Sequence, residues 1–325
     1  MATSGSVDFN LTVQAVILEI MEQLGIKRLG GSVSGDEYTS VLRTLNMMLK
    51  AWQNDGIYLW CEQEAHLFLN EGQQSYQLGG SSGADKCVTS YIKTEISDDE
   101  ASGQTVLSVD SSTGMAVTDV IGVELDDGTI HWTTIAAIPS STSVTLTVAL
   151  TDDAAEDNNV YTYDPDDIIG RPLEVSSLRL GYDSGTDVPM NSKSKREYFN
   201  IPNKTGEGSP NQYYVEKLRS YTNLYVYPTS ENVKNVIHFS MKRIIEDLDN
   251  STDNLDMPPE GIAAFMWNGC VWVANKMGKN EAISEMVSGS TSIAALAAIE
   301  YKKLKNASQE YASIKIRPKL DYYNN

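Results

Sequence analysis

Cysteine is scarce in this 325-residue sequence. Cys61, Cys87 and Cys270 stand far apart. An odd, sparse set excludes a disulfide framework and fits a reducing compartment, with each thiol read as a small buried hydrophobe. Basic residues are also few: 25 Lys and Arg against 44 Asp and Glu give a net charge of −19. Nucleic-acid-binding proteins present the opposite, a basic surface. Of the three histidines, His66, His131 and His238, none lies in an H-E-x-x-H pattern or close to a Cys, so zinc-site spacing is missing. No apolar run approaches the roughly 20 residues that a membrane-spanning helix needs. The N-terminus has neither the basic region nor the cleavage site of a secretory signal. Ser and Thr are plentiful, yet no G-x-S-x-G elbow occurs. The acidic stretch 152–157 lacks the EF-hand pattern.

What is present begins with residues 34–79. Ser34-Gly35-Asp36-Glu37 is a capping box, in which the Ser34 hydroxyl accepts from the Glu37 N–H and the Glu37 carboxylate reaches back to the Ser34 N–H. Behind it Tyr38, Val41, Leu42, Leu45, Met48, Leu49 and Trp52 recur at helical spacing, and Gly56 follows as the left-handed stop. The period then changes. Residues 65–69 and 75–78 read as two strands joined by the turn Asn70-Glu71-Gly72, so a helix feeds into a predicted hairpin. An earlier helix runs over residues 11–24, closed by Gly25, and the two helices are predicted to pack as an antiparallel pair.

Beyond the joint Gly80–Gly83, helical period disappears. Residues 105–109, 120–125, 130–138, 144–148 and 160–163 read as short strands rich in Val, Ile and Thr, with Asp126-Asp127-Gly128 as a hairpin turn. This is a small antiparallel β module inserted between two strands of a parent domain. From Asp85 to Asp167 there are 17 acids and two bases, Lys86 and Lys93, a balance of −15. Such a module is well solvated and is repelled by nucleic acid and by anionic membranes.

After Pro165, strands are predicted at 173–180, 212–215, 224–227 and 236–241, with a short basic loop Lys193-Ser194-Lys195-Arg196 that is too small for a nucleic-acid site. Residues 245–256 read as a polar acidic connection, with Asp256 capping the next helix and Pro258-Pro259 in its first turn. Ile262, Phe265, Met266 and Trp272 give that helix an apolar side and Gly278 ends it. Ile283, Met286 and Val287 suggest a short helix, and Ile293 to Tyr311 a longer one. In residues 313–325, Ile314, Ile316, Pro318 and Leu320 alternate with Lys315, Arg317 and Lys319. Pro318 blocks a helix, so this is an extended basic-apolar tail.

Several of these stretches together resemble a known family. They are Leu45-Asn46-Met47-Met48-Leu49-Lys50-Ala51-Trp52, Asp55-Gly56-Ile57-Tyr58-Leu59-Trp60 and Gly72-Gln73-Gln74-Ser75-Tyr76-Gln77-Leu78-Gly79 in the first part. Arg171-Pro172-Leu173, Leu224-Tyr225-Val226-Tyr227-Pro228 and Leu255-Asp256-Met257-Pro258-Pro259-Glu260 follow in the second. In order and spacing they resemble the head-to-tail connector adaptors of tailed bacteriophages, also called head-completion or packaged-DNA-stabilising proteins. The likeness covers residues 34–80 and 165–278.

The resemblance implies an α+β fold with a helical bundle domain built from both chain ends (1–60 plus 257–312). A central antiparallel β domain (61–84 plus 164–256) carries the inserted acidic module (85–163), and an extended tail (313–325) follows. It further implies a structural virion protein at the head-tail junction, assembled in the host cytoplasm. A dodecamer ring under the portal protein would extend the DNA channel, help to retain the packaged genome and offer a platform to tail nozzle, tube or fibre proteins. Double-stranded DNA would pass without sequence-specific binding, with no membrane and no cofactor involved. The portal-binding segment implied is the tail, Ile314, Lys315, Ile316, Arg317, Pro318, Lys319 and Leu320. The competing reading is a tail-associated hydrolase or sugar-binding protein acting on the host surface through the β module. Against it, the acid pairs Asp98-Asp99, Asp126-Asp127, Asp152-Asp153 and Asp166-Asp167 sit mostly in turns, and aromatics in the module are few. The expectation is therefore that the protein is not an enzyme.

Overall fold

In a computed structural model of the protein, the described residues are 9–57, 59–80, 84–284, 286–288 and 291–308. The fold is α+β, with helices contributed by both chain ends and β structure between them. The chain divides into two units, Met1–Cys61 with Ile245–Asn325, and Glu62–Ile244.

The helical unit is organised by Gly35–Asn54. Both bonds of the Ser34/Glu37 capping box form, and Val41, Leu45, Met48, Leu49 and Trp52 are buried along one face. Lys27 pairs with Glu37 at 2.9 Å. That bond, followed by those from Ser34, lowers the Glu37 carboxyl to about 2. The helix Val13–Gln23 buries Val13, Val16, Ile17, Ile20 and Met21. Both helices pack on a third, Pro259–Met277, which Gly278 ends in the left-handed conformation at φ 66°. A β-carbon on Gly269 would lie 2.6 Å from Ile20 Cδ1 and 3.2 Å from Leu45 Cδ2. Glycine is what lets all three helices approach one point. Trp52 meets Phe265 edge-on at 6.1 Å and Tyr301, from the last helix Ile293–Ala307, at 5.6 Å.

Residues 245–256 differ from the sequence expectation. They belong to the helical core, where Ile245, Leu248 and Leu255 are buried. Asn46 fixes them by exchanging two hydrogen bonds with the Leu248 backbone, at 3.0 and 2.9 Å. Lys50 adds a bond to the Ile245 carbonyl at 2.9 Å. Asp256 is not a helix cap: its carboxylate accepts from the Glu246 N–H, and Pro258 takes the cap position without a side-chain bond. The short helix expected around Ile283 is Asn280–Ser284, and Met286–Ser288 is a strand.

Two larger sheets of the β unit, besides the short pair Glu207–Gly208 with Thr229–Ser230, build the parent domain. One runs Asp187–Pro189, Glu174–Gly181, Val236–Lys242, Glu62–Phe68, Cys87–Val88 in spatial order, and the other Asn191–Ser192, Gln212–Lys217, Thr222–Tyr227, Ser75–Leu78. The predicted hairpin does not form. Glu62–Phe68 pairs with Val236–Lys242 and Cys87–Val88, whereas Ser75–Leu78 pairs with Thr222–Tyr227 in the other sheet. The turn at Asn70-Glu71-Gly72 is a corner between sheets, and Ala65, Leu67, Tyr76, Leu78, Leu224 and Phe239 share one buried core.

The inserted module is a six-stranded sheet in the order Ile92–Glu95, Asn159–Tyr163, Val120–Glu124, Ile130–Ser140, Ser143–Leu146, Val106–Ser108. Its neighbouring strands pair antiparallel. It has its own core, including Leu107, Ile121, Val123, Val144 and Val160. The Asp126-Asp127-Gly128 turn closes as read, with Gly128 at φ 82° and Asp127 accepting from Thr129.

Candidate interaction surfaces

The module is rooted in the parent sheet by its two chain ends. Val88 bridges Ile168, the Thr89 N–H donates to the Asp167 carbonyl at 2.9 Å, and the Ile169 N–H to the Cys87 carbonyl at 3.1 Å. Above this root lies an aromatic seam. Phe68, on the parent strand Glu62–Phe68, is ringed by Tyr91, Trp132, Tyr161 and Tyr163 of the insertion, with centroids at 5.3, 5.1, 4.9 and 6.1 Å. Tyr161 donates to the Lys234 carbonyl at 3.1 Å, and Lys234 pairs with Glu124 at 3.3 Å. Burial raises the phenols of Tyr161 and Tyr163 above their ordinary value. The module is docked on the parent as well as tethered to it.

Beside the seam His66 and His238, opposite each other on neighbouring strands, bring their Nδ1 atoms to 2.7 Å. One Nδ1 must donate and the other accept, so the two rings are held by a single hydrogen bond. Tyr91 packs edge-on to His66 at 5.1 Å. Burial is the first cause lowering both imidazoles. At His66 it is reinforced by the His238 charge, and at His238 it is opposed by Asp187 and Glu64.

Three of the four acid pairs are brought together, which the reading of them as separate turns did not anticipate. Asp99, Asp126 and Asp153 line one shallow depression of about 290 Å³ with Glu100. Each carboxylate ties a loop: Asp99 accepts from the Glu156 N–H, Asp126 from the Ala155 N–H and Asn158, and Asp153 from the Ser102 N–H. The signal was the backbone-bonding habit of Asp in loops, and the convergence across 55 residues of sequence (99 to 153, inclusive) has no local signature. Asp166-Asp167 lies elsewhere, at the root, where Asp167 accepts from Thr89 and Ser90. Among the described residues no group of three or more His, Cys, Asp or Glu is arranged to hold a metal ion.

The basic loop after Ser192 is more structured than the sequence showed. Ser194 and Glu197 form a second capping box on the short helix Lys195–Phe199. Tyr198 of this helix forms a mutual cluster with Tyr214 and Tyr225, with Tyr198 and Tyr214 at 5.9 Å, Tyr214 and Tyr225 at 5.6 Å and Tyr198 and Tyr225 at 5.4 Å. Phe199 is 52% exposed. The Lys195 and Lys204 ammonium groups sit 5.7 and 5.9 Å from its ring centroid. Lys195 also pairs with Glu216 at 2.5 Å. The bond and the charge of Glu216 raise the Lys195 ammonium, and the Lys195 bond lowers the Glu216 carboxyl.

On the helical unit an open groove of about 500 Å³ runs between the first helix and Pro259–Met277, lined by Phe9, Leu11, Ala15, Ile262, Met266 and Trp267 among others. The tail residues Ile314, Lys315, Ile316, Arg317, Pro318, Lys319 and Leu320 lie outside the described residues. Among the described residues no helix is long and apolar enough to cross a membrane.

Comparison with known proteins adds little to this geometry. No family profile matches the chain, and no curated protein matches it. Among solved structures the chain is similar to VP17, a capsid protein of bacteriophage P23-77, at 11% identity over 55% of this chain and 81% of that one, with a TM-score of 0.12. A likeness that slight carries no argument about fold or role.

Proposed function

We propose that the protein is a structural component of a phage virion, a head-to-tail adaptor that assembles as a ring under the portal. In this reading the ring extends the DNA channel, helps to retain the genome and gives the tail its platform. The protein has no catalytic role and uses no cofactor. The observation that carries the reading is the chain order of the fold: both chain ends build the helical unit, and the β unit is spliced between them. The resembling stretches also fall on elements that make such a frame. Leu45, Met48, Leu49 and Trp52 form the buried face of the capped helix, Tyr76 and Leu78 pair with Leu224 and Thr222 of the strand Thr222–Tyr227, and Pro258-Pro259 opens the long helix. The tail reading enters the same proposal, because an extended segment with alternating apolar and basic residues suits strand addition or a groove.

The test uses the full chain and its cognate portal. Wild-type protein is expected to co-sediment with portal and to form a ring by native mass spectrometry, while the free protein is mainly monomeric. A variant lacking residues 313–325 should keep its circular dichroism spectrum and lose the portal. Portal binding by the truncated protein at wild-type level would overturn the tail assignment. A stable free dimer indifferent to portal would overturn the adaptor reading itself.

A further inference from the structure

We propose that the basic aromatic patch around Phe199 is the surface on which a neighbouring copy of this chain seats its acidic insertion. The contact rests on the ring reading for its setting and names the surfaces that copies would use. The first argument is charge. Residues 85–167 carry 17 acids and two bases, −15, whereas residues 168–244 of the same unit carry 11 bases and seven acids, +4. Four of these bases, Lys193, Lys195, Arg196 and Lys204, fall within twelve residues, and of them Lys195 is compensated by Glu216. Arg196 is exposed and makes no ion pair among the described residues. Glu197, the acid within the loop, is consumed by its capping bonds to Ser194.

The second argument is the form of the patch. An exposed aromatic ring is the kind of side chain enriched at an interface centre, and the lysines flanking it suit the polar rim. This ring is also held in place. The capping box fixes the short helix, the tyrosine cluster supports it, and Lys204 donates to the Phe199 and Ile201 carbonyls at 3.1 and 2.9 Å. A side chain ordered before binding loses less freedom on contact.

The third argument concerns symmetry. The two charged surfaces are different parts of one unit, so a contact between them in two copies is heterologous. Such contacts propagate from copy to copy and close into a ring when the rotation between copies closes, whereas like-to-like contacts stop at dimers. Double-stranded DNA is the rival polyanion. A handful of bases makes a small footprint for DNA, which carries one charge per about 1.7 Å of helix axis.

The experiment mixes equal amounts of light- and heavy-isotope protein at high concentration and low salt, then applies a zero-length carbodiimide cross-linker. Cross-links between Lys193, Lys195 or Lys204 and carboxylates of residues 85–167 should appear in mixed-isotope peptides. Their yield should fall about tenfold or more at high salt and in Lys193→Glu/Arg196→Glu. Phe199→Ala, which leaves every charge in place, should lower the yield as well and guards against misfolding of the double variant. Links confined to single-isotope peptides would overturn the proposal. So would an absence of these links together with a double-stranded oligonucleotide shift that the double variant abolishes, which would assign the patch to DNA. Portal co-sedimentation of wild-type protein is scored separately. Its failure removes the adaptor reading, and failure of the cross-links with portal binding intact removes only this contact.

Discussion

Phe68→Ala is the most informative single change, because one parent-strand side chain holds the inner surface of the insertion. Phe68 is 2% exposed and touches four aromatic rings of the module. Burying a phenylalanine contributes about 3 kcal/mol by area, and the cavity left by truncation adds about 1–2 kcal/mol. Each ring contact is worth about 0.5–1.5 kcal/mol, but these overlap with the area term. The expected loss is therefore about 3–5 kcal/mol in urea unfolding followed by near-ultraviolet circular dichroism. Its distribution matters more than its size. The module core of Ile121, Val123 and Val144 lies away from the seam in its own cluster. Hydrogen exchange should therefore rise at Thr89, Asp167 and Tyr161–Tyr163, with the paired part of Val120–Glu124, and much less in the strands Ser143–Leu146 and Val106–Ser108 at the far side of the sheet. A loss below about 1 kcal/mol would refute the seam as an energetic joint. Equal loss of protection through the whole module would refute its separate core.

Two further outcomes follow from other packed groups. Gly269→Leu should cost the helical unit about 1–3 kcal/mol by overpacking the point where Ile20 and Leu45 approach, read as a lower thermal midpoint by far-ultraviolet circular dichroism, with Gly269→Ala milder because Ile20 Cδ1 is a flexible end. The histidine pair sets a pH dependence: both imidazoles are lowered from 6.5 in the fold, so the unfolded chain binds more protons and stability falls as pH drops below that value. Glu64, Asp187, Arg179 and Tyr91 face the pair, and His66→Gln/His238→Gln should flatten urea midpoints measured between about pH 7 and pH 5, whereas an unchanged slope would refute the assignment.

Local signals in the sequence account for several elements. The helix from Ser34 to Gly56, its capping box, the stop at Gly278 and the Asp126–Gly128 turn all depend on residues within a few positions of one another. So does the alternation that marked the insertion. What escaped depends on distant partners. Residues 62–68 and 75–78 have the strand pattern and a turn between them, yet pairing is decided by Val236–Lys242 and Thr222–Tyr227, more than a hundred positions away. A turn signal records that the chain bends, not which edge it meets. The stretch 245–256 is polar on average, and its three buried apolar residues matter only because Asn46 and Lys50 supply bonds to its backbone. The basic loop showed its charge in sequence. Its rigidity comes from Tyr214 and Tyr225, on strands further along the chain.

The root of the insertion bears on how such a protein changes over generations. With Thr89 and Asp167 already in hydrogen-bond contact, the parent sheet could be closed there by a very short link, and the module could be lost or exchanged as a cassette without retracing the strands around it. The seam makes that exchange a two-locus event. Removing the cassette uncovers Phe68, Val88 and Val236, which now share a buried cluster with Tyr161 and Tyr163. A lineage that discards the module must therefore also turn these positions polar or cover them with a different graft. A chain that acquires such a module gains a firm mount only after its own sheet has turned apolar at the same places.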